Sequence, residues 1–278
     1  MRIAIQGERG SFSHEAARKL VPAAMIVPCS LSADVFTKLA AGDADAAVIP
    51  IENSLAGSVS EHFDLLLKND VKVVRETLLR IRHNLIGISG ASLAHIDRVF
   101  SHPVALAQCR QFIARHPNME TYAFYDTAGS VKQLVESRDR HAAAIASEAA
   151  AHYYGAQILA AGIEDNPENY TRFFLVYRNE DAVIDPAANK ISLAFSLANE
   201  PGSLVKVLNE LAVLGVNMTK IESRPVQGKP WEYIFYVDCQ VASQEVAAKA
   251  LEALKKHCAM LKELGRYPDA ASEVAPKG

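Results

Sequence analysis

Small polar side chains stand where apolar runs end, and their types suit the binding of an anion. The residues at the ends of predicted strands or in the segments that follow them are Ser11, Ser13, Glu52, Asn53, Ser54, Ser101 and Thr127. In a parallel sheet, such positions border the crevice beyond the carboxyl ends of the strands. Helix N-termini there offer free backbone N–H groups, and Ser or Thr hydroxyls add further donors. Each residue by itself is more often only a helix N-cap. Together they predict an α/β domain that binds a small anion.

The motifs of common cofactors are incomplete. HEAAR at 14–18 begins like a zinc-protease helix, but Arg18 stands where the second histidine is needed. GERG at 7–10 lacks the paired glycines of a dinucleotide loop and the lysine of a phosphate loop. The nine histidines and four cysteines follow no metal-ligand spacing. The sequence therefore indicates neither a metal nor a nucleotide cofactor.

The elements that must position these residues alternate between strands and helices up to about residue 180, which is typical of parallel α/β layers. The predicted strands lie around 3–5, 46–51, 98–100, 121–125 and 141–146. One predicted helix has its N-cap at Ser32 and ends at Gly42, and a second begins at a capping box formed by Ser58 and Glu61. A third helix is predicted to start at Pro103 and to continue through Ile113. A fourth is predicted between Ser147 and Gly155.

The pattern changes after residue 180. A polar stretch with Pro186 predicts a linker at 181–190. The following residues, 191–268, read as strand–helix–strand–strand–helix–strand, the ferredoxin-like unit. Residues 269–278 are predicted to be a frayed tail. We expect the chain to stay folded when it is truncated near Asn189.

Composition narrows the class of protein. The chain has 278 residues, of which 50% are hydrophobic, and a formal net charge of −3. This balance allows a buried core and shows no basic face for nucleic acid. No run of eighteen apolar residues and no apolar signal core is present. We expect a soluble cytoplasmic protein with no nucleic-acid or membrane partner.

Longer segments resemble one enzyme family. The segments are GERGSFSHEAA, AVIPIENSLAGSV, IRHNLIG, FSHPVALAQC, DTAG and NYTRF, in the order and rough spacing of prephenate dehydratases. PGSL and KIESRP resemble the phenylalanine-binding segments of that family's ACT regulatory domain. The resemblance runs from residue 1 to about 267. It departs at Glu8, where the family often has proline, at Ser11, where it often has threonine, and at Val104, where it usually has an amide.

The resemblance implies an architecture. A catalytic domain at 1–180 has two lobes like those of periplasmic binding proteins, one formed by about 1–78 with 160–180 and the other by 79–159. An ACT domain follows at 191–268. ACT domains commonly bind amino acids at paired subunits, so a homodimer or homotetramer is expected.

The resemblance also implies an activity, the conversion of prephenate to phenylpyruvate, water and carbon dioxide without a cofactor, in phenylalanine biosynthesis. Thr171 is expected at the departing hydroxyl, and Glu52 is a candidate proton donor. The expected substrate-binding residues are Ser11, Ser13, Asn53, Ser54, Ser101, Thr127, Arg172 and Phe173. Arg172 can grip a carboxylate or form a structural ion pair, and the sequence leaves both open.

L-phenylalanine is the expected feedback effector. The residues expected to hold it are Gly202, Ser203, Leu204, Asn217, Glu222, Ser223, Arg224 and Pro225. We expect close approach of the ligand to the backbone to require glycine at 202. Two alternatives stay open, an arogenate dehydratase, which acts on the aminated analogue of prephenate, and a non-catalytic amino-acid sensor.

Overall fold

A computed structural model describes residues 1–226, 228–229 and 231–273 of the chain. Its strands are β1 (Arg2–Gln6), β2 (Met25–Cys29), β3 (Ala46–Asn53), β4 (Gly57–Ser58), β5 (Val71–Arg80), β6 (Asn84–Gly87), β7 (Arg98–Ser101), β8 (Glu120–Ala123), β9 (Ala142–Ala146), β10 (Gln157–Ala160), β11 (Tyr170–Arg178), β12 (Lys190–Ser196), β13 (Asn217–Pro225), β14 (Tyr233–Gln240) and β15 (Met260–Tyr267). Its α-helices are α1 (Phe12–Leu20), α2 (Ser32–Ala41), α3 (Ser60–Lys68), α4 (Pro103–Ala107), α5 (Arg110–Ala114), α6 (Thr127–Ser137), α7 (Glu148–Tyr154), α8 (Ser203–Val213) and α9 (Gln244–Lys255). No helix in these ranges is long and apolar enough to cross a membrane.

The chain divides into two compact units. The N-terminal unit comprises residues 1–59 and 77–173, and the C-terminal unit comprises residues 60–76 and the chain from 174 onward. Strands β5 and β11 each contribute residues to both units.

Three strands of the first sheet of the N-terminal unit, β1, β2 and β3, are parallel. Strand β1 pairs in parallel with both β2 and β3, so Gln6, Cys29 and Asn53 end their strands at the same edge. Ile3 and Ile5 of β1 are fully buried, and the apolar faces of α1 and α2 cover the strands. A buried parallel sheet of this kind places its functional residues at the carboxyl edge.

The second sheet of this unit has the order β10-β6-β9-β7-β8. Strands β7, β8 and β9 are parallel, whereas β6 runs antiparallel to β9 and β10. All five residues of β9 are buried, because alanine side chains leave room for packing on both faces. One face packs with Phe112 and Val99, and the other packs with Val131 of α6.

The C-terminal unit contains the predicted ferredoxin-like order, which is confirmed: β12, α8, β13, β14, α9 and β15. The antiparallel order in space is β13-β14-β12-β15. Val207 of α8 and Leu254 of α9 pack on one face of this sheet against Phe195 and Val237.

Helix α3 packs on the opposite face of the same sheet. Tyr236 of β14 contacts the Phe63 ring at 5.0 Å between centroids, and its hydroxyl donates to Asp64 Oδ1 at 3.3 Å. Lys262 Nζ of β15 donates to the carbonyl oxygens of Leu66, Leu67 and Asn69 at 2.9, 2.9 and 2.6 Å. A cation at the carboxyl end of a helix satisfies carbonyls that have no partner within the helix.

These contacts explain why the compact units do not divide at the predicted linker. Residues 60–76 belong by sequence to the catalytic segment, yet α3 covers a face of the C-terminal sheet and the first part of β5 pairs with β15. Lys190 Nζ, almost fully buried, lies 2.9 Å from Glu76 Oε1 and 3.3 Å from Asp269 Oδ1. A chain truncated near Asn189 would leave Glu76 and one face of α3 without these partners, so the expectation of independent folding is not supported.

The predicted helix boundaries are partly confirmed. Helix α7 is capped by Ser147 and ends at Gly155, and α2 ends at Gly42, as predicted. Leu31 and not Ser32 is the N-cap of α2. The helix predicted from Pro103 is two short helices, α4 and α5, and α3 begins at Ser60 because Ser58 pairs with Glu52 in a strand ladder.

The predicted tail is ordered in its first part. Gln240 Nε2 donates to Asp269 Oδ2 at 2.6 Å, and Ala270 is buried. A 3₁₀ turn follows at Ala270–Glu273. Residues 274–278 of the predicted tail, and Gln227 and Pro230 of the predicted β13–β14 connection, lie outside the described residues.

Gly265 gives a stability test of the β5–β15 pairing. It lies opposite Val73, and a methyl group at 265 would overlap the carbonyl oxygen of Val73. We expect Gly265→Ala to lower the free energy of unfolding by about 1–3 kcal/mol. The melting temperature should fall by about 2–4 °C for each kcal/mol, measured by circular dichroism. Val73→Ala in the same chain should not restore it, because the overlapping atom belongs to the backbone. Full rescue by the double variant would contradict this account.

Candidate active site

The N-terminal unit encloses a cavity of about 440 Å³ at the carboxyl ends of its parallel strands. Gln6 and Asn53 reach it from the first sheet, and His102 and Asp126 reach it from the second. The two sheets therefore contribute opposite walls of one crevice, where α/β proteins bind ligands.

Six of the ten residues predicted to act on or bind a substrate line this cavity: Ser11, Ser13, Asn53, Thr127, Thr171 and Phe173. The other four, Glu52, Ser54, Ser101 and Arg172, do not line it. Ser101 is fully buried, and its hydroxyl donates to the Ile145 carbonyl oxygen at 2.6 Å. Ser54 donates to the carbonyl of Glu168 at 3.1 Å and accepts from the Tyr170 N–H at 3.0 Å. These two serines fix backbone around the cavity.

Strand alternation separates Thr171 from Arg172. Successive side chains of a strand point to opposite faces, so Thr171 and Phe173 of β11 face the cavity while Arg172 points away. In β3, Asn53 likewise faces the cavity, and its neighbour Glu52 lies on the opposite face. On the far face, Arg172 Nη2 lies 3.7 Å from Glu52 Oε2, and Arg172 is 9% exposed. Of the two roles that the sequence left open for Arg172, this placement favours the structural ion pair.

Neutral donors dominate the cavity wall. Among the described residues that line it there is no lysine or arginine, and Asp126 is the one carboxylate. Ser11 caps α1, its Oγ accepting from the His14 N–H at 3.3 Å, and Phe12 and Ser13 of the first turn also line the cavity. The N–H groups of a first helical turn have no partner within the helix. They and the dipole of α1 favour an anionic group here.

Asp126 belongs to a second helix start in the same wall. Its Oδ1 accepts from the Gly129 N–H at 2.6 Å, which caps α6. Burial raises the pKa of the Asp126 carboxyl, and backbone hydrogen bonds from Gly129 and Glu8 oppose that rise. Since the carboxylate of a bound ligand would be a second negative charge, an anion in the cavity favours the protonated form of Asp126 further.

The side-chain amide of Asn53 has one possible orientation. The backbone N–H groups of Leu55 and Ala56, which can only donate, lie 3.0 and 2.8 Å from Asn53 Oδ1. Asn53 Nδ2 therefore faces Thr171 Oγ1 at 2.9 Å and Asn169 Oδ1 at 2.7 Å. Thr171 Oγ1 accepts this hydrogen bond, which leaves the threonine O–H with no acceptor among the described residues. The Thr171 O–H is therefore a hydrogen-bond donor in the cavity wall that a ligand can use.

The hydrogen-bond network continues to Gln108. Asn169 Nδ2 donates to Gln108 Oε1 at 3.0 Å, and Gln108 Nε2 lies 3.4 Å from Asn53 Oδ1. His83 Nε2 lies 2.9 Å from the same Gln108 oxygen. Thus Asn53, Asn169, Gln108, His83 and Thr171 form one connected set of side chains.

Sequence reasoning assigned no binding or catalytic role to Gln108, His83, His102 or Asp126, all of which line the cavity. His102 and Asp126 follow the ends of β7 and β8, so the rule that selected Ser101 and Thr127 could have found them. Gln108 follows α4 and carries no local signal, because only the packing of α4 brings it to the cavity.

The predicted effector residues lie in the C-terminal unit. Gly202 is the N-cap of α8, with φ of 81°, and Ser203 and Leu204 begin the helix. The left-handed backbone is sufficient reason for a glycine at 202. A Cβ there would meet no protein atom within 4 Å, so the space beside Gly202 is open. Asn217, at the start of β13, donates from Nδ2 to Gln240 Oε1 at 3.0 Å.

Strand β13 divides the remaining effector residues between two faces. Ser223 pairs with Phe235 and lies with Pro225 on the face that α8 and α9 cover. Glu222 and Arg224 lie on the face of α3, where Arg224 Nη2 is 2.9 Å from Asp64 Oδ2. The structure therefore does not gather all eight predicted residues around one ligand.

Comparison with known proteins decides the family. The family model described as prephenate dehydratase matches residues 3–181, and the ACT domain model matches residues 191–259. The chain belongs to the prephenate dehydratase family. Its C-terminal residues form an ACT domain, and the mixed α/β fold predicted from the sequence is confirmed.

Named relatives and solved structures are similar to this chain over nearly its whole length. The chain is 40% identical over 96% of its length to arogenate dehydratase/prephenate dehydratase 2, chloroplastic, of Arabidopsis thaliana, covering 73% of that protein. A crystal structure of prephenate dehydratase from Arthrobacter aurescens in complex with L-Phe is 32% identical, with a TM-score of 0.88 over 97% of this chain and 90% of that one. A structure described as GqqA, a novel type of quorum quenching acylase, is 33% identical, with a TM-score of 0.89 over 98% of this chain and 100% of that one.

Replacement of Thr171 tests its role as a donor. Thr171→Ala removes the free O–H and keeps the strand, so we expect kcat to fall by a factor that corresponds to about 2.7–4 kcal/mol. Thr171→Ser keeps the hydroxyl and should retain most of the turnover. Steady-state rates on prephenate, with melting temperatures for both variants, provide the measurement. Turnover of Thr171→Ala equal to that of the wild type would remove Thr171 from the mechanism.

Arg172→Lys separates a structural role from a binding role. Lysine keeps the charge but loses the planar guanidinium in a buried position. We expect the melting temperature to fall while KM for prephenate changes by less than about twofold, since Arg172 points away from the cavity. Glu52→Gln is the matched variant and should show the same pattern. A large rise in KM with an unchanged melting temperature would instead indicate that Arg172 grips the substrate.

Proposed function

We propose that this chain is a prephenate dehydratase that forms phenylpyruvate, water and carbon dioxide in L-phenylalanine biosynthesis. The observation that carries the proposal is the Thr171 hydroxyl in the cavity wall, whose oxygen accepts from Asn53 Nδ2 and whose O–H has no acceptor among the described residues. Family membership and the neutral, anion-binding wall support the same reading.

The reaction needs little covalent chemistry from the protein. The bond from the ring to its carboxylate breaks and releases carbon dioxide, and that electron pair completes the aromatic ring. The hydroxyl leaves from the opposite ring carbon and becomes water when it gains one proton. Thr171 donates a hydrogen bond to this departing oxygen, where negative charge develops. The first turn of α1 holds a carboxylate, and Phe173 forms an apolar wall beside the ring.

The proton must come from a group at the cavity. Glu52 lies on the far face of β3, paired with Arg172. Asp126 lines the cavity, and burial raises the pKa of its carboxyl, which favours Asp126 over Glu52 as the source. The preference of the site for a keto acid or for its aminated analogue does not depend on the source of this proton.

Parallel assays on the two substrates test the activity. We expect the purified full-length chain to form phenylpyruvate from prephenate, followed by its ultraviolet absorbance. Arogenate is the second candidate substrate, favoured by the dual name of the Arabidopsis relative; it would yield phenylalanine directly, detected by chromatography. Faster turnover of arogenate would reassign the substrate. No turnover of either substrate would favour the non-catalytic sensor.

L-phenylalanine is the proposed effector of the ACT domain, supported by the open space beside Gly202 and by the L-Phe complex of the Arthrobacter enzyme. We expect L-phenylalanine to lower the rate on prephenate, and D-phenylalanine to have little effect. A ligand that prefers a less active arrangement shifts the protein toward it. Inhibition should not be overcome by excess prephenate. Strictly competitive inhibition would place phenylalanine in the catalytic cavity instead.

The proposed assembly is a cytoplasmic homodimer or homotetramer. Val213 and Trp231 of the C-terminal unit are 85% and 78% exposed, and contact with a second subunit would remove these apolar side chains from water. Light scattering on the full-length chain should give a mass of twice or four times the 30.2 kDa of the monomer. A monomer at micromolar concentration would contradict this part of the proposal.

A further inference from the structure

His83 is a buried ring in the wall of the catalytic cavity. It precedes β6 and is 2% exposed. The Phe12 ring contacts it edge-on, at 5.6 Å between centroids. Its backbone N–H donates to Glu164 Oε2 at 2.9 Å, so the backbone is fixed independently of the ring. The ring itself contacts one polar side chain, that of Gln108.

The hydrogen bonds of the neighbouring amides determine which ring nitrogen carries the proton. Because the backbone N–H groups of 55 and 56 fix the orientation of Asn53, its Nδ2 donates to Asn169 Oδ1. Asn169 then has only its Nδ2 to offer, and this group donates to Gln108 Oε1. Gln108 Oε1 is an acceptor, so the nitrogen of His83 that lies 2.9 Å from it must be a donor. His83 Nε2 therefore bears the hydrogen.

The other nitrogen of the ring, Nδ1, is buried and makes no hydrogen bond with any residue that the structure describes. Burial also lowers the pKa of the imidazole, which favours the neutral ring, whose Nδ1 is then a bare acceptor. A buried polar atom without a partner destabilises the folded state. An apolar side chain would suit this position better for stability alone, and among the described residues the bond from Nε2–H to Gln108 is the one side-chain hydrogen bond that such a replacement would remove.

We propose that His83 is a positioning residue for the dehydration, acting through the Gln108 side chain. Two donors, His83 Nε2 and Asn169 Nδ2, hold Gln108 Oε1 away from the substrate. The Gln108 amide nitrogen is thereby turned toward Asn53 and the cavity, with one N–H directed at Asn53 Oδ1 and the second available to a ligand. Without the His83 donor, one of the two anchors of Oε1 is lost.

The consequence is a wall of oriented donors beside the reacting group. The Gln108 N–H and the Thr171 O–H belong to the same network, and both are directed by Asn53. Donors that are already oriented need no reorganisation when negative charge develops on a departing oxygen. Loss of the His83 anchor should therefore lower turnover more than it weakens substrate binding. This inference rests on the proposed dehydratase function.

Two amide variants separate the ring nitrogens. The Gln amide reaches the position of Nε2, whereas the shorter Asn amide reaches only that of Nδ1. We expect His83→Gln to keep kcat on prephenate within about threefold of the wild type, and His83→Asn and His83→Leu to lower it by about tenfold, the equivalent of one lost hydrogen bond. KM should change little in all three. His83→Leu should melt no lower than the wild type, since it removes an unpartnered buried nitrogen.

Other outcomes of the His83 variants would contradict a positioning role. Wild-type kcat in both His83→Asn and His83→Leu would overturn the inference, as would a better rescue by Asn than by Gln. A fall in melting temperature with unchanged kcat would make His83 purely structural. Failure of the wild type to turn over prephenate would instead refute the proposed function, whereas the tautomer of His83 would still test its hydrogen bond to Gln108.

A measurement on the unmodified protein keeps the inference testable if a variant does not fold. Long-range ¹H–¹⁵N correlation spectra of the full-length chain at neutral pH report the tautomer of each histidine. The His83 resonance should show a protonated Nε2 and an unprotonated Nδ1. A protonated Nδ1 with a bare Nε2 would mean that Gln108 is turned the other way, which overturns the proposal.

Discussion

The active-site wall depends on two backbone N–H groups that hold one side-chain oxygen. Leu55 and Ala56 donate to Asn53 Oδ1, and this fixes which end of the amide meets β11. An amide turned the other way would place two oxygens against each other at Asn169 and remove the donor to Thr171. Each amide in the network has its orientation set by the previous one, so the local turn after β3 controls groups that lie more than fifty residues away in the chain.

The cavity wall offers neutral hydrogen-bond donors to an anion and no cationic lysine or arginine among its described lining residues. Lysine and arginine are missing from the described lining residues, and oriented neutral donors take their place: the first turn of α1, hydroxyl groups and side-chain amides. A buried arginine would have to lose its hydration, and it would need a permanent partner when no ligand is bound. Backbone donors at a helix start carry no full charge, so they need no permanent charged partner when no ligand is bound. Arg172 has its partner, Glu52, on the other face of the strands.

Helices cover both faces of the C-terminal sheet, and one of them comes from the part of the chain that precedes the predicted linker. Helices α8 and α9 cover one face, and α3, which precedes them by more than a hundred residues, covers the other. Asn53 and residues 56–59 line the cavity, and the chain continues from Val59 directly into α3. Asp64 of that helix pairs with Arg224 of β13, in the segment that resembles the effector motif. Catalytic and regulatory sequences are therefore continuous in the chain and are not two independent pieces.

Local pattern in the sequence determined much of this protein. Strand-ending hydroxyls and amides indicated a crevice for a small anion, alternation of apolar residues predicted the ferredoxin-like order, and the motifs PIENS and NYTRF pointed to the family and to Asn53 and Thr171. Strand periodicity could also have separated Thr171 and Phe173 from Arg172, because it depends only on the spacing of residues along one strand. The start of α3 and the break between α4 and α5 could not be predicted from local helix signals. A strand ladder at Ser58 competes with the first, and at the second the N–H groups of Arg110 and Gln111 donate to the distant Asp165 carboxylate.

Only tertiary structure decided which side chains meet. Gln108, Asn169 and Asn53 are far apart in the chain, and nothing in their local sequence states that their amides share hydrogen bonds. The same holds for α3, whose composition fits either unit and whose place is decided by contacts with Tyr236 and Lys262. The physical reason is that sequence period fixes the face on which a side chain lies, whereas a hydrogen bond requires two particular faces to come within about 3 Å of each other. That distance is set by the packing of all the elements together.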